Sequence, residues 1–388
     1  MHKIVILGAG YAGLTTTVSL AARTKRRDDV EITLVSASDR FTERLRLHQA
    51  GAGQQLADLR IPALLDGSGV RFERGWVTGI DAGAGTVRVD DERVLEYDTL
   101  VYALGSVADT TSVPGADEHS HTFDGAHGAE LLARRLRELD EQGTGTVVVC
   151  GSGLTGVEAA AEIAEQHAGL RVVLVGRQEP GATLGAKAQA YLREALRRLG
   201  VEIRLAEIAK VTPDSVDLLG EDAIPADAVL WTSGVRVSPL PSAAGIDTDD
   251  RGRILTDSTL RSVSHRGVYA VGDAAAVHQG YGLMHGTCQG GMPTGVHTAL
   301  SITRELSGRR PKPFRFGYLH APVSLGRRDA VIQFTHPDDS PKRFCLTGGP
   351  AVWYKETVSS APWPSFQRMR RLPSSGSFAW RRGGRYTR

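Results

Sequence analysis

Only three cysteines occur in 388 residues, and Cys150, Cys288 and Cys345 lie far apart with no C-x-x-C among them. That spacing excludes a redox-active dithiol and the familiar zinc patterns, and such sparse thiol usage fits a reducing, cytoplasmic compartment. No metal-ligand spacing is present. No run is long and apolar enough to span a bilayer. The apolar N-terminal run stops at a glycine turn, as a strand does and a secretory signal does not. Charge of one sign is missing too: 46 Lys and Arg against 44 Asp and Glu leave +2, so no global field points to nucleic acid. Residues 361–388 are the local exception. They hold Arg368, Arg370, Arg371, Arg381, Arg382, Arg385 and Arg388 without one carboxylate.

Glycine, by contrast, is plentiful and patterned. Gly8-Ala9-Gly10-Tyr11-Ala12-Gly13 follows the apolar run Lys3-Ile4-Val5-Ile6-Leu7, and Gly151-Ser152-Gly153-Leu154-Thr155-Gly156 follows Thr146-Val147-Val148-Val149-Cys150. One G-x-G-x-x-G is weak evidence; two, each between a strand and a helix, are strong. The first glycine permits the tight turn, the second lets a pyrophosphate approach, and the third lets helix and strand pack closely. The helix N-terminus receives the phosphate charge. Two cradles imply two dinucleotides, most economically a flavin and a nicotinamide. Each has a downstream counterpart, Asp98-Thr99-Leu100-Val101-Tyr102-Ala103-Leu104-Gly105 and Asp227-Ala228-Val229-Leu230-Trp231-Thr232-Ser233-Gly234. A whole subdomain is therefore repeated.

These patterns predict an α/β chain with two Rossmann-like dinucleotide-binding domains. The NAD(P) domain is inserted in the FAD domain, and a small C-terminal α+β region follows. The expected boundaries are 1–112 for the first part of the FAD domain, 113–255 for the NAD(P) domain and 256–320 for the second FAD part. The C-terminal region takes 321–358, and 359–388 is expected to be a flexible basic tail. Segment 70–89 reads as antiparallel strands, and the proline-, serine-, glycine- and arginine-rich stretch beyond Lys355 argues against a packed core.

The order GAGYAG, DTLVYALGS, CGSGLTGVE, VLWTSGV and VYAVGDAA, over roughly residues 1–330, resembles the two-dinucleotide-binding flavoprotein oxidoreductases. Within them it is most similar to the type II NADH dehydrogenases and their actinobacterial relatives. The resemblance implies FAD at the first cradle, with Gly8, Gly10, Ala12, Gly13, Ala103, Gly105 and Gly272 beside it and Asp273 bonding the ribityl chain. Asp273 also has the place of a helix cap. Arg44, with Phe41 and Glu43 nearby, falls where the relatives run beside the flavin; a surface salt bridge is the other reading. The usual ribose-binding acid at the end of the second strand is replaced by Ser36, with Asp39 as the alternative.

At the second cradle Gly151, Gly153, Leu154, Thr155, Gly156 and Gly234 are implied for the nicotinamide dinucleotide. Its second strand ends in Gly176-Arg177 instead of an acid. That substitution removes repulsion of a 2′-phosphate and offers it a charged fork, so NADPH stands beside NADH. Glu158 lies near the nicotinamide in the resemblance, and is equally a favourable charge in the first helical turn. The family's acceptor segment corresponds to Cys288–Gly295. Gln289 and Gly295 match it, but Pro293 and Thr294 replace paired glutamines, which leaves a quinone and another small organic acceptor both open. Cys288 is a candidate redox group or a buried inert thiol, and His48 and His285 are candidates on the acceptor side.

The expected activity is hydride transfer from NAD(P)H to FAD, then electron transfer to a quinone-like or other small acceptor. A tailoring flavoenzyme for a specialised metabolite and a slow redox-sensing flavoprotein remain the alternatives. No nucleic-acid partner is expected, and a homodimer is left open. Trp363, Phe366, Met369 and Leu372 among the tail arginines raise weak peripheral contact at the cytoplasmic face of a membrane.

Overall fold

The computed structural model describes residues 1–378. Its first sheet is parallel, in the order Val268–Ala270, Thr99–Tyr102, His2–Leu7, Val30–Ser36, Val70–Arg74. The central strand is a continuous apolar run because both faces are covered. Ile4 and Ile6 pack with Leu14 and Val18 of the helix Tyr11–Thr24. Val5 and Leu7 face the opposite way, toward Val87 and Val89 of a three-stranded antiparallel sheet over residues 77–96. The antiparallel reading of 70–89 is corrected at its start. Val70–Arg74 runs parallel to Val30–Ser36 as the edge of the main sheet, and only Val77 onward is antiparallel.

The second sheet repeats this plan in the order Glu202–Leu205, Arg171–Gly176, Thr146–Cys150, Ala228–Trp231, His121–Thr122. Val147 and Val149 pack under the helix Leu154–Gln166, while Val148 and Cys150 face Val211, Val216 and Trp231. The duplication extends to a single carboxylate. Asp98 Oδ2 accepts from the Lys3 amide at 2.7 Å, and Asp227 Oδ2 accepts from the Thr146 amide at 2.7 Å. Each Asp thus ties its own strand to the start of the central one. After the second sheet the chain returns to the first at Val268–Ala270, so one dinucleotide-binding fold is inserted in the other.

The helix Cys288–Glu305 then crosses against Tyr11–Thr24. A Cβ on Gly295 would lie 2.4 Å from the Ala12 carbonyl oxygen, so the two backbones touch where no side chain fits. A small antiparallel sheet follows, His320–Ser324, Ala330–Thr335 and Pro341–Thr347, backed by the helix Gly348–Ser360.

The flexible tail expected from residue 359 is corrected as far as the description reaches. Pro362–Arg371 is a helix, with Phe366 and Met369 buried one turn apart beside Phe41. Pro362 and Pro364 fall in its first turn, where a missing N–H costs no helical bond. Arg370, read as part of a solvated charge cluster, donates to the carbonyls of Leu64 and Asp66 at 2.8 Å. Arg381, Arg382, Arg385 and Arg388 lie outside the described residues. Among the described residues no helix is long and apolar enough to cross a membrane.

Candidate functional site

The two glycine turns are superimposable in their constraints. Gly8 and Gly151 take positive φ values of 96° and 122°, as each strand turns back into its helix. A Cβ on Gly13 would sit 1.9 Å from the Gly8 carbonyl oxygen, and one on Gly156 would sit 1.9 Å from that of Gly151. Neither distance admits any side chain. A Cβ on Gly10 or Gly153 would meet nothing within 4 Å, so the middle glycines border open space. Neither helix carries a side-chain cap, which leaves the first-turn amides unpaired and available to an anion. Both turns are cradles of the right chemistry for a pyrophosphate, and the residues present fit two dinucleotides.

Both cradles open on one cavity of about 1220 Å³. Gly8, Gly10, Ala12 and Ser36 line it from the first cradle, and Gly153, Leu154, Thr155 and Gly234 from the second. Between them stand Ala103, Gly105, Gly272 and Asp273. Asp273 accepts from the Ser106 hydroxyl at 2.7 Å and caps no helix with its side chain. Arg44 lines the cavity and donates to the Ser106 carbonyl at 2.9 Å, so it is held at the site by a neutral partner. Gly13, Gly151 and Gly156 serve behind the wall as packing positions. Asp39 is bound to Arg60 at 2.8 Å outside the wall, and Arg177 is exposed at the turn after its strand.

The remaining wall carries the charge. Glu158 projects from the second-cradle helix and takes Lys355 Nζ at 2.7 Å and the Ser324 amide at 2.9 Å. His48 Nδ1 lies 3.9 Å from its other oxygen. Burial opposes ionisation of Glu158, but Lys355, His48 and the Ser324 amide outweigh it and hold the carboxyl below its ordinary range. Burial pushes His48 down to about 4, with Glu158 opposing and Lys355 assisting, so the imidazole is neutral at physiological pH. Burial, reinforced by Asp273, pushes Cys288 up to about 12. The cavity therefore meets a thiol there, not a thiolate.

Three positions expected at the acceptor side are already engaged. Gln289 donates to the His320 carbonyl at 2.9 Å and accepts from the Leu319 amide at 2.7 Å. Thr294, in place of a glutamine, donates to Gly291 O and accepts from the Gly272 amide at 3.1 Å. It thereby fixes the turn that carries Asp273. His285 stacks on Tyr318 with centroids 4.4 Å apart. Cys345 lies buried in the small sheet and does not line the cavity. Among the described residues no group of His, Cys, Asp and Glu could hold a metal.

Lys355 was missed. It stands on the buried stripe Ala351, Lys355, Ser359 of its helix, and that spacing of four residues, with a cation inside it, was the available signal.

Fold and site together define a protein that brings two dinucleotides to one cavity. The chain belongs to the pyridine nucleotide-disulphide oxidoreductase family, whose match spans residues 2–300. It is similar to an NADH dehydrogenase-like protein of Mycobacterium tuberculosis, 28% identical over 382 residues that cover 93% of this chain and 94% of the relative. A type II NADH:quinone oxidoreductase of Staphylococcus epidermidis is 29% identical over 360 residues, covering 85% and 89% respectively. Among solved structures, NDH2 of Plasmodium falciparum in complex with NADH shares the fold with a TM-score of 0.79 at 14% identity, covering 96% of this chain and 98% of that one.

Proposed function

We propose that the protein is an FAD-dependent NAD(P)H oxidoreductase that reduces a quinone-like small acceptor. The observation carrying this reading is the single cavity: two phosphate cradles open on it, and a buried Glu158–Lys355 pair forms its remaining wall. The naming of the Staphylococcus relative as an NADH:quinone oxidoreductase supports the same acceptor class.

The first cradle would hold FAD through the amides that open the helix Tyr11–Thr24, with Asp273 and Ser36 offering acceptors to its hydroxyls. When bound there, FAD would supply the redox chemistry, as hydride acceptor and electron donor. Arg44 offers positive charge beside it. The second cradle would hold NAD(P)H on the amides at Gly153, Leu154 and Thr155. Arg177, exposed after the second strand of that sheet and outside the cavity lining, would have to turn toward the ribose to meet a 2′-phosphate. Lys355 is the strongest donor in the acceptor wall, and Glu158 keeps its ammonium in place. Lys355 Nζ donates to Glu158 and to the Pro322 carbonyl at 3.2 Å, and its third N–H would serve an acceptor carbonyl oxygen, whereas Gln289 has both ends committed to backbone.

Reoxidation tests the acceptor. Anaerobically reduced protein should be reoxidised by menadione within the turnover time, and a flavin that stays reduced with every quinone tried would remove quinones from the reading. Arg177→Ala should lower the NADPH efficiency about tenfold while sparing NADH, the scale of one charge-assisted contact to a 2′-phosphate. An unchanged ratio would take Arg177 out of the site. Pro362, Ser365 and Arg368 of the terminal helix also line the cavity, so a lipid-soluble acceptor would pass them. Weak peripheral contact with anionic bilayers is part of the proposal, and loss of vesicle binding in Arg368→Glu is the expected result.

A further inference from the structure

Behind the acceptor wall lies a buried polar network that the proposed chemistry has not used. Glu162 is fully buried, one helical turn beyond Glu158 on the same helix. Its Oε1 accepts from Gln54 at 2.5 Å, and its Oε2 faces Arg327 Nη1 at 3.6 Å. Neither of those last two atoms has a hydrogen-bond partner. Arg327 also binds Glu356, which in turn holds Arg46 at 2.8 Å, and Arg46 reaches Gln49 at 3.2 Å. Glu356 is about a third exposed, its side chain at 34%. His48 Nε2 and Gln49 Nε2, on the short helix that borders the cavity, are likewise buried without partners. Four unpartnered polar atoms in one cluster call for a specific cause. The separations of 3.6 Å and 3.9 Å between these facing groups are longer than a direct hydrogen bond.

We propose that Glu162 is the proton-loading residue of a buried relay running from Glu356 at the surface, past Arg327, to Glu162 and on to His48 and the Glu158–Lys355 pair. The inference rests on the proposed acceptor chemistry. Reduction of a quinone to a quinol consumes two electrons and two protons. NAD(P)H supplies both electrons and one proton as hydride, and the second proton must enter from water. In the relay that proton leaves the Glu162 carboxyl for the acceptor-side cluster, and Glu162 is reloaded through Glu356. Arg327 remains charged throughout and holds the two carboxylates at a fixed separation. Glu162 touches no substrate and acts through Glu158, His48 and Lys355, so it is a positioning and relay residue.

Its surroundings suit the task. Burial pushes Glu162 up to about 7; Arg327 and Gln54 oppose this, and Glu165 on the same helix adds to it. The other titratable groups around the network are Glu158 on its own helix, Glu43 and Arg46 with the neutral His48 from the 43–51 segment, and Lys355 and Glu356 from the helix Gly348–Ser360. A carboxyl poised near neutrality can both give and regain a proton at working pH.

The test compares the holoenzyme with Glu162→Gln and Glu162→Asp. Bleaching of the flavin by NADH should be unchanged in both. Reoxidation by menadione should slow about tenfold or more in Glu162→Gln, less than the roughly hundredfold low end for a donor that touches the substrate, because Glu162 acts through its neighbours. The fall in the wild-type rate as pH rises through 7 should vanish with it, and Glu162→Asp should restore part of both. Independently of any acceptor, the wild type should show a carboxylic-acid C=O infrared band that titrates near pH 7 and is lost in Glu162→Gln. A wild-type pH profile in Glu162→Gln, or no such band in the wild type, overturns the relay and marks Glu162–Arg327 as a structural ion pair only. Should menadione fail to reoxidise the wild type, the acceptor reading falls and the infrared band alone decides Glu162.

Discussion

Lys355→Met should separate the two half-reactions more sharply than any other single change. Lys355 is buried and its ammonium is the nearest opposite charge to the Glu158 carboxylate, at 2.7 Å. Removing one member of a buried pair leaves the other without compensation, which costs about 3–5 kcal/mol. Burial then dominates Glu158, and its carboxyl rises above the ordinary range instead of lying below it. In the wild type the pair's contribution is present above the unfolded carboxylate value and is lost only as pH falls through the depressed folded value. In Lys355→Met the sign reverses, and stability falls as pH rises past the unfolded value. The acceptor half-reaction should drop about a hundredfold with the lost donor, while reduction by NAD(P)H changes far less. Urea melts across pH and stopped-flow of each half-reaction check this. Equal losses in both halves would place the pair away from the acceptor.

Gly13→Ala and Gly156→Ala should each remove one cofactor and spare the other. In both turns the added methyl would lie 1.9 Å from a carbonyl oxygen, and the obstacle is backbone that cannot swing aside. The helix must move off its strand, at a cost of about 3 kcal/mol or more. The phosphate-binding amides move with it. Gly13→Ala should purify without flavin, whereas Gly156→Ala should remain yellow yet resist bleaching by either nicotinamide. The ratio of flavin to protein absorbance reads the first, and anaerobic titration reads the second. A yellow Gly13→Ala with normal bleaching would mean that the first cradle is not the flavin site.

The paired cradles could be read from sequence because their demands are local. A tight turn, a close phosphate and a close helix each require glycine at a fixed offset, and Asp98 and Asp227 repeat because each accepts from an amide at the start of its central strand. The acceptor wall was far less legible. Glu158, His48 and Lys355 come from three separate elements, and their meeting depends on how the small C-terminal sheet seats against the inserted domain. Lys355 and the terminal helix were obscured by composition: Gly348-Gly349-Pro350 and Pro362–Pro364 look like breakers, but each occupies a helix start, where glycine and proline are tolerated. The long helix Cys288–Glu305 was hidden for a related reason. Its glycines and Pro293 weaken helical propensity, yet Gly295 is what lets it pack on Tyr11–Thr24. At Gln289 and Thr294 the spacing was legible and the chemistry was not, since only packing reveals that their polar atoms serve the backbone.

Two redox cofactors meeting in one cavity is the claim on which all else depends, and anaerobic mixing of the purified protein with one equivalent of NADH or NADPH tests it most directly. The expected result is a yellow protein with one FAD per chain whose visible absorbance bleaches stoichiometrically with at least one of the two nicotinamides. A colourless chain that takes up no FAD, or a flavin left oxidised by both, would contradict it.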